Sequence, residues 1–405
     1  MNGKKEQRRK TAMQQVKYKD RRHTQSRKWD GCLAKFGRED LLPLWIADMD
    51  FEAPQCVKDA LKSYVDMGAF GYYDPPQEYF DAFIRWEEGR HGYKVEKEWI
   101  RFAPGVVPAF NWIIHMLTKK NDAVIIMPPV YYPFREAVEN NHRKLVVSPL
   151  IRTEDSYVMD YEGFEKAVVE EQVKLFIFCS PHNPAGRVWK KEEIQKILDI
   201  CKKHHVYVIS DEIHQDLVMS GNTQIPSATT GDYDEILITL TAATKTFNLA
   251  SCQNSFVVIP DEGLRERYDV HLEELRIHGG NAFGYVAVKS AYESGEPWLE
   301  EVLDIIESNY KLLKDKLELE LPKIWIPRLE GTYLMWIDLA AYVKPEEVEE
   351  IIGNRCGLAV DYGAWFGGKE SGSCIRINLA TRRENIELAA EKIMGVLKSA
   401  ERRET

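Results

Sequence analysis

What most constrains the fold is an alternation running from about residue 120 to 260. Short apolar runs at 123–127, 145–147, 174–180, 206–210, 235–240 and 255–259 are separated in several places by amphipathic segments such as 161–170 and 191–204. Runs of that length suit strands, and the intervening segments repeat with helical period. Strands that are apolar on both faces need helices on both sides, so the pattern predicts a largely parallel sheet in an α/β core. Beyond about residue 297 the character changes. A long charged helical pattern at 298–319 precedes runs at 334–339, 346–352 and 374–378 and a closing helix at 384–397, which predicts a smaller α+β lobe. The expected division is an arm at 1–54 that contributes to the small domain, a large domain at 55–296 and a small domain at 297–405. With no internal repeat and no low-complexity linker, the lobes should pack intimately.

Composition narrows the class. The chain has 405 residues, 44% hydrophobic and 29% charged, and no uninterrupted apolar stretch long enough to cross a bilayer. The first residues are basic but no apolar segment follows, so no export signal is expected. Lys4, Lys5, Arg8, Arg9 and Lys10 read as a solvated tail, because a net charge of -10 opposes binding to nucleic acid. The seven cysteines carry no C-x-x-C pair, which suggests neither a zinc site nor a disulfide framework and fits a reducing cytoplasm.

In an open parallel sheet, ligands sit beyond the carboxyl ends of the strands. Four chemically capable side chains fall there: Tyr131, Asn183, Asp211 and Lys245. Lys245 stands in the small, hydroxyl-rich run TAATKTFNLA at 241–250, where a desolvated ammonium loses its proton and becomes a nucleophile. An amine, a carboxylate, an amide and a stacking ring are the groups needed to hold pyridoxal 5'-phosphate (PLP), with the acid pairing the ring nitrogen. The phosphate needs an anion site. In APGVVPA at 103–109 a glycine leads into a helical pattern, so the amides of Gly105, Val106 and Val107 are candidates, with Thr241 and Thr244 adding hydroxyls.

These motifs together resemble fold-type I PLP-dependent enzymes of the aminotransferase class I/II superfamily over nearly the whole chain. The stretches LPLWIADMDF (42–51), FGY (70–72), SPHNP (180–184), DEIH (211–214), KTFNLA (245–250) and GTY (331–333) look like its MalY/PatB branch, the cystathionine β-lyase-like C-S lyases. The resemblance implies Lys245 as the Schiff-base lysine, Asp211 as the pyridinium partner, Asn183 as a donor to the phenolic oxygen and Tyr131 as the stacking ring. It places His214 at the cofactor and Ala47, Asn183 and Arg376 at the substrate, with Arg376 clamping the carboxylate. It further implies a homodimer in which Tyr72 reaches the neighbouring phosphate. His214 replaces a tyrosine common in the wider superfamily, Gln253 replaces an arginine, and Ala242 stands where a serine is usual, which shifts the phosphate contacts toward Thr241 or Thr244. Trp45, Tyr73, Trp365 and Phe366 are candidates for the substrate side.

The implied reaction is β-elimination from L-cystathionine or a related cysteine S-conjugate, giving thiol, pyruvate and ammonia. Transamination uses the same residues and is the alternative; a PLP-fold regulatory binding protein is a further one. No G-x-x-x-x-G-K-[ST] loop accompanies DEIH, and no G-x-G-x-x-G follows a strand, so nucleotide and dinucleotide sites are not expected. Asp211, Glu212, His214, His204 and His205 match no common zinc spacing, and no metal is expected. Gly279 and Gly280 read as a turn or hinge.

Overall fold

The computed structural model describes residues 15–404, with side chains described through residue 398, so the basic run at 4–10 lies outside the described residues. Seven strands form the main sheet: β1 (Ile100–Ala103), β2 (Ala123–Ile126), β3 (Lys144–Val147), β4 (Leu175–Cys179), β5 (Tyr207–Asp211), β6 (Leu237–Thr241) and β7 (Ser255–Val258). Their spatial order is β1-β7-β6-β5-β4-β2-β3. Alternate side chains of each central strand feed two different cores. Phe176 and Phe178 of β4, Val208 of β5 and Ile125 of β2 pack on one face, while Leu175, Ile177, Ile209 and Val124 pack on the other. That two-sided burial is why these strands read as continuous apolar runs rather than alternating ones.

The sheet is largely parallel, as expected, with one exception. The run at 255–259 forms β7, but β7 is antiparallel to both of its neighbours, β1 and β6. The connection from β6 is taken up by a one-turn helix, Ala243–Thr246, and a short 3-10 turn, Ala250–Cys252. It carries no packed crossover helix of the kind that returns a chain to a parallel start. β1, an edge strand interrupted by Arg101, has no counterpart among the runs read from sequence.

The C-terminal part contributes a three-stranded antiparallel sheet of β8 (Leu334–Asp338), β9 (Asp361–Tyr362) and β10 (Cys374–Asn378), ordered β8-β10-β9. The N-terminal arm joins it: Leu42–Pro43 pairs in parallel with Leu358–Ala359. Within the arm, a fully buried ion pair joins Lys28 Nζ to Asp50 Oδ2 at 2.9 Å and Trp29 Nε1 donates to Asp50 Oδ1 at 2.8 Å, while Asp50 N donates to Ala380 O at 2.9 Å and ties the arm to the C-terminal part. A helix at Glu296–Glu320 leads into this lobe, and one at Arg383–Glu404 closes it, longer than the periodicity at 384–397 predicted. One continuous core takes in Phe247 and Phe256 of the large part with Trp298, Leu334 and Ile386, so the lobes share buried surface, as the absence of a tether suggested. All seven cysteines are free thiols, and among the described residues no helix is long and apolar enough to cross a membrane.

Candidate active site

Because β7 alone runs backwards, β1, β2, β4, β5 and β6 all end at one edge of the sheet. Their continuations carry Gly105, Tyr131, Asn183, Asp211 and Lys245 respectively. All five line one cleft, together with Ala47, His214, Thr244, Val106 and Val107. Residues spread over some two hundred positions are thereby gathered by topology, at the place where open α/β sheets bind ligands.

Lys245 is presented by the one-turn helix after β6. The next residue anchors that turn from behind, since Thr246 Oγ1 donates to the buried Asp216 Oδ2 at 2.7 Å. In front, Lys245 Nζ donates to the carbonyl of Ala47 at 2.7 Å. The segment bearing Ala47 is itself framed by two asparagines. Asn378 Nδ2 donates to Ile46 O and Asp48 O, each at 2.8 Å, and Asn248 Nδ2 donates to Met49 O and Phe51 O. Burial lowers the ammonium of Lys245 to about 8, with Arg376 adding to the fall and Asp48 and Asp211 opposing it. Near neutral pH this amine holds a readily exchanged proton.

Asp211 sits opposite as a buried acid. Burial raises its carboxyl to about 7, against the hydrogen bond from Ile213 N at 3.2 Å. Asn183 is buried too, and its Oδ1 accepts from Arg376 Nη1 at 2.8 Å, which fixes the amide and leaves Nδ2 as a donor. Arg376 is only 3% exposed and borders the cleft through Asn183, close enough for its charge to act on Lys245, Tyr131 and His214. Its Nη2 pairs with the carboxylate of Asp361. His214 is held neutral: burial, with the charges of Lys245 and Arg376, depresses its pKa. Its ring meets Tyr333 edge-on at 5.9 Å, and its Nδ1 has no hydrogen-bond partner.

The residues fit PLP on three observations. First, the twelve-residue helix Val106–Leu117 begins at the cleft with no side-chain cap at Gly105, so the amides of its first turn remain free for an anion. The φ of Gly105 is 177°, ordinary extended backbone, so that glycine matters for leaving the cleft floor open and not for its conformation. Second, Asp211 is a buried acid short of a cationic partner, which a protonated ring nitrogen supplies. Third, His214, whose buried Nδ1 has no hydrogen-bond partner, lines the same cleft.

Some expected residues stand elsewhere. Thr241 lies within the end of β6, buried, with Oγ1 unpartnered, and is not part of the lining; Thr244 is the hydroxyl that reaches the cleft. Ala242 is likewise buried in the backbone turn, away from the lining. Tyr72 is fully exposed and takes no part in the cleft of its own chain. Trp45 packs against Cys32 and Leu41, Phe366 lies under the Arg376 guanidinium, and neither they nor Tyr73 and Trp365 line the cleft. Gly279 and Gly280 form a close turn against Phe102 and Tyr285, with φ of 157° at Gly279. Among the described residues no cluster of His, Cys, Asp and Glu is arranged to hold a metal ion. Sequence reasoning missed Asp361, Asn248 and Asn378 as supports. Asn248 lay inside the KTFNLA motif and Asn378 two residues after Arg376, whereas Asp361 had no signal beyond an acid in an otherwise apolar stretch.

Comparisons with known proteins agree with this fold. The model of the family described as aminotransferase class I and II matches residues 39–393. Cystathionine beta-lyase PatB of Bacillus subtilis (strain 168) is 38% identical over 383 residues, covering 94% of this chain and 99% of that protein. Among solved structures, cystalysin from Treponema denticola, which contains a pyridoxal 5'-phosphate cofactor, is 35% identical with a TM-score of 0.91, covering 95% of this chain and 98% of its own. The PLP-bound C-S lyase from Staphylococcus hominis is 34% identical with a TM-score of 0.88, covering 94% and 97%. A match across almost the whole length, on a fold that brings the predicted site residues to one sheet edge, establishes that the chain belongs to the aminotransferase class I and II family.

Proposed function

We infer that this protein is a PLP-dependent carbon–sulfur β-lyase that cleaves L-cystathionine or a related cysteine S-conjugate to a thiol, pyruvate and ammonia. The observation that carries the reading is the amine of Lys245, brought by burial to about 8 and facing Asp211, Asn183 and Tyr131 across one cleft. PatB, a cystathionine beta-lyase by name, and the Staphylococcus hominis C-S lyase support the choice of reaction within the family.

In this reading Lys245 holds the cofactor through Nζ, Asp211 keeps a proton on the ring nitrogen, Asn183 Nδ2 donates to the phenolic oxygen and Tyr131 covers the ring. The first-turn amides at Val106 and Val107, with the Thr244 hydroxyl, hold the phosphate. The chemistry supplied by the bound cofactor is an electron sink for the substrate's α-carbon, which lets the β-carbon–sulfur bond break with departure of the thiol. Lys245 Nζ takes the α-proton as general base, a role matched to an amine that titrates near the working pH. Arg376 binds the α-carboxylate and thereby orients the Cα–H bond toward Lys245. The carbonyl of Ala47, which accepts from Nζ, keeps the amine over the cleft.

The protein acts as a homodimer in the same reading. Support comes from Phe70, Tyr72 and Phe283, exposed aromatics of which Phe70 and Phe283 pack together with Tyr64 at 5.3–5.8 Å. We place Tyr72 at the partner's phosphate, residues 1–54 with the small domain, and the protein, with its seven free thiols, in the cytoplasm. The test is incubation of purified protein with L-cystathionine, following the cofactor's visible absorbance while assaying thiol and pyruvate, with Lys245→Ala as control. Equal release of thiol and pyruvate that requires Lys245 is expected. Transfer of amino groups to an added keto acid without thiol release would overturn the lyase in favour of a transaminase.

A further inference from the structure

Arg376 is gripped from two sides. Nη1 donates to Asn183 Oδ1 at 2.8 Å, Nη2 donates to Asp361 Oδ2, and the guanidinium carbon lies 4.7 Å from the ring centroid of Phe366. Asp361 and Arg376 are register partners in the antiparallel pair β9–β10, so the sheet itself sets them side by side. Their side chains are 2% and 3% exposed, so each is largely withdrawn from bulk water. A guanidinium buried there needs an anionic partner, and a long flexible side chain needs fixed acceptors to keep its plane in one orientation. Asp361 provides both before any ligand arrives. Its two partners use two of the five N–H groups of Arg376, so the fork is held without being consumed.

We propose that Asp361 is a positioning residue for the amino-acid carboxylate site, presenting Arg376 as a pre-oriented clamp. The inference rests on the reading above that Arg376 binds the substrate's α-carboxylate. Without an acceptor at 361 the guanidinium has only Asn183 to hold it and turns toward other acceptors. The orientation must then be recovered at the moment of binding, at the expense of affinity. The loss falls on ligands that carry a carboxylate and spares those that do not.

The test compares two probes on the PLP-loaded protein, L-alanine and ethylamine, which differ by the carboxylate alone. Binding of each is followed by the change it causes in the cofactor's visible spectrum. In Asp361→Ala, L-alanine should bind about ten-fold or more weakly while ethylamine changes less than about two-fold, as expected for the loss of one pre-organised charge-assisted bond. Asp361→Asn, which keeps an acceptor oxygen in place, should recover most of the difference. Where the alanine variant does not fold, Asp361→Val fills the same strand position without an acceptor and carries the same expectation. A parallel loss for both probes would mean that Asp361 only supports the fold, and unchanged or tighter L-alanine binding would mean that it does not position Arg376; either overturns the proposal. Arg376→Gln separates the two levels. If it leaves the preference for L-alanine intact, the clamp itself is misassigned, whereas failure of thiol release with L-cystathionine bears on the lyase reading and not on this binding experiment.

Discussion

Replacing Asp211 by asparagine should stabilise the cofactor-free protein and weaken the cofactor-bound one. Asp211 is 4% exposed, and burial lifts its carboxyl from 3.8 to about 7. Three units at about 1.36 kcal/mol each mean that the ionised side chain costs the native state on the order of 4 kcal/mol. The native acid holds its proton more tightly than the unfolded one. The stability tied to this group is therefore complete below pH 3.8 and is lost as pH rises toward about 7. Asparagine does not titrate, and its Oδ1 can still accept from Ile213 N. Between pH 5 and 7.5 the advantage of Asp211→Asn over wild type in the apoprotein should grow by roughly 2–3 kcal/mol, read from paired urea unfolding curves. Glu87, which burial pushes to about 8, titrates over the same range in both proteins and cancels. With PLP bound the order should invert, because a ring nitrogen that keeps its proton needs the carboxylate. A difference between the two apoproteins that stays flat from pH 5 to 7.5 would refute the claim that Asp211 is a buried acid lacking a cationic partner.

Three further outcomes are expected. Asp50→Ala strands the fully buried ammonium of Lys28 and removes the acceptor of Trp29, so thermal or urea unfolding should show a loss of about 3–5 kcal/mol, with weaker retention of PLP as the segment bearing Ala47 loosens. Phe83→Ala empties a fully buried position stacked on Phe256 at 3.8 Å; denaturation should show a cost of about 3–5 kcal/mol with little change in KM, since the site lies elsewhere. Gly363→Ala would set a Cβ 2.1 Å from the carbonyl oxygen of Ser371, so the turn after β9 must shift; a melting temperature equal to wild type would show that this turn has slack.

The expectations that held share a physical basis. Strands β2, β4, β5 and β6 were legible because two-sided burial writes an unbroken apolar run, and the helix at Tyr161–Glu170 because one-sided burial writes a period. That Asp211 and Lys245 would meet at one cleft was legible because polar groups directly after such runs fall at the sheet edge where open α/β sheets gather their loops. β1 was missed, since an edge strand interrupted by Arg101 carries neither pattern strongly. The direction of β7 was not written in the sequence pattern, because periodicity reports burial and not polarity of the chain. The aromatic candidates for the substrate side could not be sorted from sequence, because an aromatic residue is as useful in a core as in a cleft; Trp45 and Phe366 lie in packed clusters.

By itself, then, the sequence determined the layered α/β core, the polar side chains that end its strands and the family to which they point, because each is written in local pattern and residue chemistry. Only the tertiary structure decided which hydroxyl reaches the cleft, that the carbonyl of Ala47 accepts a hydrogen bond from Lys245, and that Asp361 stands against Arg376. Those are pairings between segments far apart in the chain. They are set by strand register and loop docking, which depend on the packing of the whole molecule and leave no mark on any short stretch of it.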